Sequence, residues 1–402
     1  MEKNRDSGKK YIITVGVITS FITTFMGSGL NLSIPSMEEE FGVSTQNVGW
    51  VVTIYMITCA ALAVPFGRMA DKLQRRKILL TGLFLFTAGS GLAVISREMW
   101  VLLVFRFVQA TGAAMIFSTN VAMMTAAAEE NQRGRIAGYA ASANYVGLAA
   151  GPVIGGMLSY NFGWRAIFIA TAIVSSGALI LGAVKIPEQR SGSAQTTPVK
   201  KLVKNRAYVC ANIAAMINYG ANYIISYILS IYLQSVRGMT SQSAGFVMIT
   251  GTVVMAALAP VSGRLSDKVC PQKLSAAGMA VCGISLGLLA CLNADSRLIR
   301  IMIILALSGL GFSMFSSPNT NAVMSSVERE DYGLASSVLA TMRSLGNTLN
   351  MAVVTAVTGI YMGDGNLKSA EPQVIMNTMH AAYFVFTILC ILGIFVAMRR
   401  KI

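Results

Sequence analysis

Gly67-Arg-Met-Ala-Asp-Lys-Leu-Gln-Arg-Arg-Lys77 is a short charged segment between two apolar runs, each long enough to cross a lipid bilayer. A second copy, Gly263-Arg-Leu-Ser-Asp-Lys-Val-Cys-Pro-Gln-Lys273, follows 196 residues later and also lies between apolar runs. The two copies share the glycine, the first arginine, the aspartate and two lysines. A repeat at about half the chain length in a hydrophobic sequence is typical of membrane proteins built from two similar halves.

The composition favours a membrane protein. Hydrophobic residues form 54% of the 402 positions and charged residues 12%, about half the charged share of an ordinary soluble domain. Because a membrane helix needs roughly 20 mostly apolar residues, we predict an all-α protein with twelve transmembrane helices, six in each half. The runs lie near residues 11–34, 49–69, 78–96, 100–124, 137–158, 164–184, 207–233, 244–263, 274–292, 299–323, 333–361 and 379–398.

The basic residues predict the orientation. With the N-terminus inside, 24 of the 32 Lys and Arg residues fall in cytoplasmic segments and only six fall outside. This asymmetry predicts that both termini are cytoplasmic, in a multi-pass protein of the inner (plasma) membrane. The net charge of +15 therefore reports orientation, and no nucleic-acid partner is expected.

The segment between the halves is polar and rich in Ser, Thr and Lys. It predicts three parts: an N-terminal six-helix bundle (1–186), a cytoplasmic linker (187–206) and a C-terminal six-helix bundle (207–402). The six cysteines show no metal-ligand spacing, so we expect neither a metal nor another cofactor. Clustered His, Asp or Glu at membrane depth would be needed for enzyme chemistry, and none occurs. We expect a monomer that is not an enzyme.

Predicted helix 5 carries glycine at every fourth position, at Gly147, Gly151 and Gly155, followed by Gly156. One face therefore lacks side chains, and a neighbouring helix can approach it closely. Pro152 predicts a bend, because proline has no N–H to donate to the preceding turn. The alternative is that this is a packing motif without further meaning.

Two arginines lie well inside predicted helices, away from the helix ends. Arg106 in helix 4 needs partners, since an unpaired arginine at membrane depth costs roughly 2.5–3.5 kcal/mol. Either it has a functional partner, or it hydrogen-bonds backbone carbonyls and Gln109, one turn away. Arg343 in helix 11 lies nearer the cytoplasmic end, and both a functional role and extension of its side chain to the membrane surface stay open.

Predicted helix 7 has a polar and aromatic face. One row at four-residue spacing holds Asn218, Asn222, Ser226 and Ser230, and the adjacent row holds Tyr219, Tyr223 and Tyr227. Such a face avoids lipid, and it either bonds to neighbouring helices or lines a wet cavity. We favour the cavity.

Three motifs resemble those of the major facilitator superfamily, and in particular its multidrug/proton antiporter branch. Gly67 to Lys77 resembles the loop motif between helices 2 and 3, departing from it at Gln74. Arg106 to Gly112 matches the helix 4 pattern RxxQxxG, and Gly147 to Gly156 matches the helix 5 pattern GxxxGPxxGG. The resemblance implies two pseudo-symmetric six-helix bundles and alternating access.

The resemblance also implies a cytoplasmic latch. Asp71 would meet the start of helix 11 near Tyr332, and Arg75 and Arg76 would reach Glu129 and Glu130. The second copy, with Asp267, would face the start of helix 5 near Ile136. The predicted conformational residues are Gly67, Asp71, Arg75, Arg76, Gln109, Gly112, Glu129, Glu130, Gly147, Gly151, Pro152, Gly155, Gly156, Gly263, Asp267 and Arg343.

In this superfamily helices 1, 4, 7 and 10 line the pore, which extends the helix 7 face into a cavity. The predicted cavity residues are Asn31, Arg106, Phe117, Asn120, Asn218, Asn222, Tyr223, Ser226, Tyr227, Phe312, Phe315 and Asn319. Relatives in the antiporter branch often carry an aspartate in helix 1 where this chain has Met26. With no acid at mid-membrane, the pocket is expected to favour anionic or neutral compounds, with Arg106 contacting the acidic group.

These features predict a secondary transporter in the lipid bilayer that exports small amphipathic or drug-like compounds in exchange for protons. Protons would then use a rim carboxylate (Glu38, Glu39, Glu40 or Asp71) or travel with the substrate. Two alternatives stay open. One is a facilitator or exporter of an organic anion or metabolite, and the other is a membrane sensor on a transporter scaffold.

Overall fold

The computed structural model describes residues 2–30, 33–43, 45–187, 204–362 and 371–398, and every regular element in these ranges is a helix. This confirms the all-α fold class. Helices occupy all twelve predicted runs, and we label them in chain order. They are α1 (Glu2–Gly29), α2 (Thr45–Lys72), α3 (Arg75–Val94), α4 (Met99–Ala127), α5 (Arg133–Ala150), α6 (Arg165–Lys185), α7 (Arg206–Ile231), α8 (Ser241–Lys268), α9 (Pro271–Leu289), α10 (Leu298–Ser325), α11 (Tyr332–Met362) and α12 (Pro372–Met398).

Nine helices among the described residues are long and apolar enough to span a membrane. The three others are α5, at whose end the glycine motif begins, α7, which carries the Asn, Ser and Tyr rows, and α11, which carries Arg343. Polar side chains and glycines lower the mean hydropathy of these helices. The prediction of twelve spans therefore stays a prediction for α5, α7 and α11.

The charged segment Gly67 to Lys77 is more helical than the expected loop. α2 continues to Lys72 and α3 starts at Arg75, so only Leu73 and Gln74 lie outside a helix. Each of these two residues is hydrogen-bonded to its own helix, Leu73 N to the carbonyl of Met69 in α2 (2.8 Å) and the carbonyl of Gln74 to Ile78 N in α3 (3.2 Å). Two helix ends of opposite dipole therefore meet across two residues.

The chain divides into two compact units. The first unit holds residues 1–201 and 327–341, and the second holds 202–326 and 342–402. The start of α11 thus groups with the first unit. The predicted boundaries at 186 and 207 stay a prediction, because residues 188–203, most of the predicted linker, lie outside the described residues.

Each unit contains the same close contact between glycines of two helices. In the first unit, a Cβ atom built on Gly82 of α3 would lie 2.9 Å from the carbonyl oxygen of Gly112 in α4. In the second unit, a Cβ built on Gly278 of α9 would lie 2.7 Å from the carbonyl oxygen of Gly311 in α10. The second pair follows the first by 196 and 199 residues, so the internal repeat extends well beyond the charged segments.

A hydrogen bond repeats with the same spacing. Ser118 of α4 donates through Oγ to the carbonyl oxygen of Ala63 in α2 (2.7 Å), and Ser317 of α10 donates to that of Ala259 in α8 (3.3 Å). Ala259 follows Ala63 by 196 residues and Ser317 follows Ser118 by 199. Corresponding positions can therefore be assigned by spacing alone.

The glycine face of α5 packs against α1. A Cβ on Gly151 would overlap Ser28 Oγ, and a Cβ on Gly155 would lie 2.6 Å from the carbonyl oxygen of Gly29. Ser28 Oγ also donates to the carbonyl of Leu148 in α5 (3.3 Å). The absence of side chains on α5 is what lets the two backbones meet.

The predicted bend coincides with a change of helix type. α5 passes into a π-helical turn at Gly151–Gly155 and continues as a short helix, Gly156–Phe162. Pro152 has no N–H, so one regular helical hydrogen bond cannot form in this turn. Wider turns of this kind usually occur as single turns within α-helices.

A cluster of polar contacts ties the short helix Ile34–Phe41, which follows α1, to α6. Arg165 donates to Glu40 and to the carbonyls of Val94 (2.9 Å) and Ser96 (2.8 Å), and Trp164 Nε1 donates to Glu40 (2.7 Å). Burial acts to raise the pKa of the Glu40 carboxyl, but the hydrogen bonds from Arg165 and Trp164 outweigh it and lower the pKa. The charged form of Glu40 is thus the one that the fold stabilises.

We predict that Gly151→Leu lowers the thermal unfolding midpoint of the purified protein by several degrees. Overpacking of a close contact costs about 1–3 kcal/mol, and here a side chain would enter the space of Ser28. Gly177→Leu is the matched control, because a Cβ on Gly177 of α6 meets no described atom within 4 Å. Equal midpoints for the two variants would contradict the assigned packing.

Candidate functional site

Arg106 is fully buried in the first unit, with 0% of its surface exposed. Its Nε donates to the carbonyl oxygen of Val51 in α2 (3.0 Å), and Nη2 donates to that of Met26 in α1 (3.2 Å). Nη1 donates to Gln109 Oε1 within α4. One side chain thus joins α1, α2 and α4.

Two aromatic rings complete the surroundings of this guanidinium. Its central carbon lies 4.3 Å from the ring centroid of Tyr55 and 5.8 Å from that of Phe168. Such contacts contribute about 2 kcal/mol when water is excluded, which is comparable to the cost of an unpaired intramembrane arginine. These contacts match the second alternative given above, in which groups of the protein itself satisfy the guanidinium of Arg106.

Gln109 extends the hydrogen-bond network to α3. Its Nε2 donates to Ser90 Oγ (2.7 Å), and Ser90 Oγ donates to the carbonyl of Phe86 (2.6 Å). One turn later in α4, Gly112 packs against the backbone of Phe86. The RxxQxxG pattern is therefore a chain of contacts from α1 and α2 through α4 to α3.

Asp71 caps the start of α11, and this contact lies wholly within the first unit. Its Oδ1 accepts from Gly333 N (2.8 Å) and its Oδ2 accepts from Leu334 N (2.6 Å). Arg75 donates to the same carboxylate through Nε (3.1 Å) and Nη2 (2.8 Å). The first amides of a helix carry no internal partner and attract negative charge, so Asp71 matches what this helix start lacks.

Two glycines allow this cap to form. A Cβ on Gly67 would overlap the side chain of Ser337, and a Cβ on Gly333 would lie 2.8 Å from the carbonyl oxygen of Gly67. The end of α2 and the start of α11 are thus in backbone contact. Any side chain at either position would push the carboxylate of Asp71 away from its amides.

The prediction that Arg75 and Arg76 reach Glu129 is wrong, whereas the prediction for Glu130 stays a prediction. Beyond Asp71, Arg75 donates to the carbonyls of Arg329 and Glu330 and not to Glu129. Arg76 donates to the carbonyl of Ala183 (2.8 Å). The turn before α11 presents the carbonyls of Arg329 and Glu330 beside Asp71, and all three groups accept from Arg75 Nη2.

Glu129 instead pairs with Lys9 of α1 (3.4 Å) and accepts from Gln132 (3.3 Å). The side chain of Glu130 lies outside the described residues. Gly263 and Asp267 lie near the end of α8, where Asp267 is half-buried. The expected meeting of Asp267 with the start of α5 stays a prediction.

The predicted polar face of α7 is divided by burial. Asn218 is fully buried, and among the described residues neither of its amide atoms has a hydrogen-bond partner of ordinary geometry, although the Cys282 thiol lies beside it. Asn222 is half-buried, while Tyr223 is 37% exposed and Ser226 is exposed. Tyr227 is half-buried and packs on Ile231. The accessible part of the face therefore begins beyond Asn218.

The other predicted cavity residues lie mostly in packed interiors. Asn120 donates to the carbonyl of Gly16 (2.9 Å) and to Ser20 Oγ (2.8 Å), which ties α4 to α1. Phe117 is half-buried, whereas Phe312, Phe315 and Asn319 of α10 are buried. Asn31 lies outside the described residues. Their assignment to a substrate cavity stays a prediction.

Arg343 is only partly buried, and its contacts all lie in the second unit. Its Nη2 donates to Thr320 Oγ1 of α10 (2.8 Å), and its guanidinium lies 4.8 Å from the ring centroid of Tyr219 in α7. Among the described residues, its buried Nε has no hydrogen-bond partner. A buried charged donor without a partner costs more than about 1–3 kcal/mol.

Of the residues around Arg343, Tyr219 lies on the predicted face of α7, whereas Ser316 and Thr320 were not among the predicted residues. Tyr219 lies edge-on to Phe312, with 4.9 Å between ring centroids, and its hydroxyl bonds to Ser316 Oγ (3.0 Å). Ser316 and Thr320 are one turn apart on α10. This spacing places both hydroxyls on one face of α10, but it would have indicated a site only if Arg343 had already been known to face them.

A cavity of about 520 Å³ lies apart from all of these residues. It is lined by Leu288 of α9 and by Arg297, Ile299, Arg300, Ile303 and Ile304 at the start of α10.

In the described part of the chain, no three His, Cys, Asp or Glu side chains are grouped to hold a metal ion.

Comparison with known proteins places the chain in a family. The model of the Major Facilitator Superfamily matches residues 16–350 and 211–401. The chain belongs to the Major Facilitator Superfamily. Among curated relatives, the riboflavin transporter RibZ of Clostridioides difficile (strain 630) is 27% identical over 95% of both chains. The multidrug resistance protein Stp of Mycobacterium tuberculosis (strain CDC 1551 / Oshkosh) is 25% identical over 86% of this chain and 75% of its own.

Solved structures show the same major facilitator fold. The human organic anion transporter MFSD10 (TETRAN) has a TM-score of 0.77 at 13% identity and covers 97% of this chain and 99% of its own. The E. coli fucose:proton symporter FucP has a TM-score of 0.71 at 18% identity, covering 94% and 99%. The family and these relatives are transporters, so the predictions of a multi-pass membrane transporter and of no enzyme are confirmed.

We predict that Asp71→Asn accelerates hydrogen exchange at the amides of Gly333 and Leu334 by about tenfold, equivalent to ~1.4 kcal/mol. The neutral amide keeps one oxygen for two N–H groups and loses its attraction to the helix start and to Arg75. Asp295→Asn, in the segment between α9 and α10, is the control. Unchanged exchange at residues 333 and 334 would show that the cap does not hold this major facilitator helix in place.

We predict that Arg106→Leu, which copies Leu305 at the corresponding position of the second half, still folds. The carbonyls of Val51 and Met26 lie in helices and do not need the guanidinium for their own helical hydrogen bonds, so its removal leaves only Gln109 Oε1 without its partner. Because Arg106 contacts the protein itself, transport of anionic and of neutral compounds should change by the same factor. Arg97→Gln serves as the control, and initial transport rates are the measurement. A loss confined to anions would support direct substrate contact instead.

Proposed function

We propose that this major facilitator transporter is a secondary active exporter that works by alternating access and exchanges amphipathic, drug-like compounds for protons. The observation that carries the proposal is the capping of α11 by Asp71 and Arg75. Alternating access needs a contact that forms in one state and is released in another, and a charged cap made of few hydrogen bonds fits that need.

The glycine motif of α5 supports the export direction. Every fixed position of GxxxGPxxGG is present, and the motif forms backbone contact with α1 together with a π-helical turn. The similarity to the multidrug resistance protein Stp supports drug-like substrates. The proposed setting is the plasma membrane, with a monomer whose two termini are cytoplasmic.

Proton coupling in this proposal uses a carboxylate at the rim, or a proton carried by the substrate. Asp71 and Glu40 are the two rim acids whose contacts the structure describes, and each forms an ion pair with an arginine, Asp71 with Arg75 and Glu40 with Arg165. Protonation of Asp71 would weaken its hold on the amides of Gly333 and Leu334. The uptake of a proton by Asp71 and the release of the start of α11 would then occur in the same step.

A second candidate is an exporter or facilitator of an organic anion. Arg343 favours it, since α7, α10 and α11 contain no Asp or Glu to neutralise this charge. The relative named for riboflavin transport also favours a defined substrate over a broad range.

The test measures accumulation of anionic, neutral and cationic compounds in cells that lack other efflux pumps. We expect the chain to lower accumulation of at least one amphipathic compound several-fold, and a protonophore to abolish this effect. Asp71→Asn, produced at equal membrane levels, provides the inactive control. Transport that is unchanged by the protonophore would favour a facilitator. If no compound is transported, the membrane sensor is the alternative that remains.

A further inference from the structure

Arg106 lies in a helix apolar enough to span a membrane and Arg343 lies in a helix predicted to span it, but only Arg106 is satisfied by the protein. Arg106 has two carbonyls, one side-chain amide and two rings around it. Arg343 has one hydroxyl, that of Thr320, and one ring, that of Tyr219, while its Nε has no described acceptor. The buried Nε is closed to a ligand, but Nη1 is not buried and makes no hydrogen bond to the described residues, so the guanidinium of Arg343 can accept another partner without breaking an existing set of hydrogen bonds.

The charge around Arg343 specifies the sign of that partner. The three helices that surround it contribute no carboxylate, because α7, α10 and α11 contain neither Asp nor Glu. A planar guanidinium with a free edge binds carboxylate or phosphate through two parallel hydrogen bonds. The missing partner is therefore an anion.

The internal repeat provides a comparison within the same chain. The α5 glycine Gly147 meets the backbone of Phe21 in α1, and the α11 glycine Gly346 meets that of Met216 in α7. By this spacing, Arg343 corresponds to Asn144 of the first half and Tyr219 corresponds to Thr24. The same helix packing thus forms without a cation or an aromatic ring, so these side chains are not requirements of the fold.

The aromatic residues beside Arg343 form a rigid surface. Tyr219 is fixed on three sides, by the guanidinium on its face, by Phe312 at its edge and by Ser316 at its hydroxyl. One turn further along α7, Tyr223 is 37% exposed. An apolar ring can therefore pack along this tyrosine row while its acidic group meets Arg343.

We propose that Arg343 and Tyr219 form the anion-recognition site of the second unit, which binds an aromatic compound bearing a carboxylate or phosphate group. The inference rests on the proposed function and names its substrate class. It moves recognition of the acidic group from Arg106, as the sequence suggested, to Arg343.

The test is equilibrium binding to the full chain in nanodiscs, which needs neither a proton gradient nor transport. The probes are radiolabelled 2-naphthoate and 2-naphthylmethanol, which share a ring system and differ in charge. We expect 2-naphthoate to bind at least tenfold more tightly, and Arg343→Gln to remove that preference while the affinity for 2-naphthylmethanol stays unchanged. Arg297→Gln, at an exposed arginine before α10, should bind both probes like the original chain.

Arg343→Lys provides a second variant in case the glutamine variant does not fold. Lysine keeps the charge but lacks the planar fork, so the affinity for 2-naphthoate should fall several-fold and that for 2-naphthylmethanol should not. Equal affinities for the two probes in the original chain, or a preference that survives both variants, would overturn the proposal. If the preference holds and cells show no efflux, the anion site stands and the proposed export function fails.

Discussion

A charge inside a bilayer must find its partners in the protein, and the arrangement of the first unit depends on how Arg106 does so. Its guanidinium takes carbonyls from α1 and α2 and an amide from α4, which ties three helices to one point. Helix carbonyls retain a second lone pair, so they can accept this donor without losing their own hydrogen bond. The arginine is thus accommodated by backbone that any sequence would present there.

The duplication separates what the fold needs from what was added to it. Glycine contacts between helices and the serine-to-carbonyl bond recur in both units. Charged residues at membrane depth do not, since Arg106 corresponds to Leu305 and Arg343 to Asn144. The positions where the two halves differ are therefore the natural places to look for chemistry, and the shared positions describe a scaffold.

The fold and part of the site could be predicted because they depend on spacing. Glycine at every fourth position indicated a close helix contact, and the structure supplies α1 as the partner. The cap of α11 by Asp71 was expected only from the family resemblance, since its two ends are 262 residues apart. Spacing along α7 indicated one polar face but not its rotation within the unit, which is why Asn218 is buried and Tyr223 is exposed. The partners of Arg75 were missed because backbone carbonyls leave no trace in a sequence.

The π-helical turn at Gly151–Gly155 changes the phase of α5. A π turn takes in one residue more than an α turn, so the helix beyond it is rotated by roughly 100° relative to a regular continuation. A related chain with an uninterrupted α-helix here would reach the same topology with one residue fewer. Sequence alignments across this point then need a one-residue gap inside a helix, and without it every residue from 156 onward in that helix is compared with a neighbour that faces another direction.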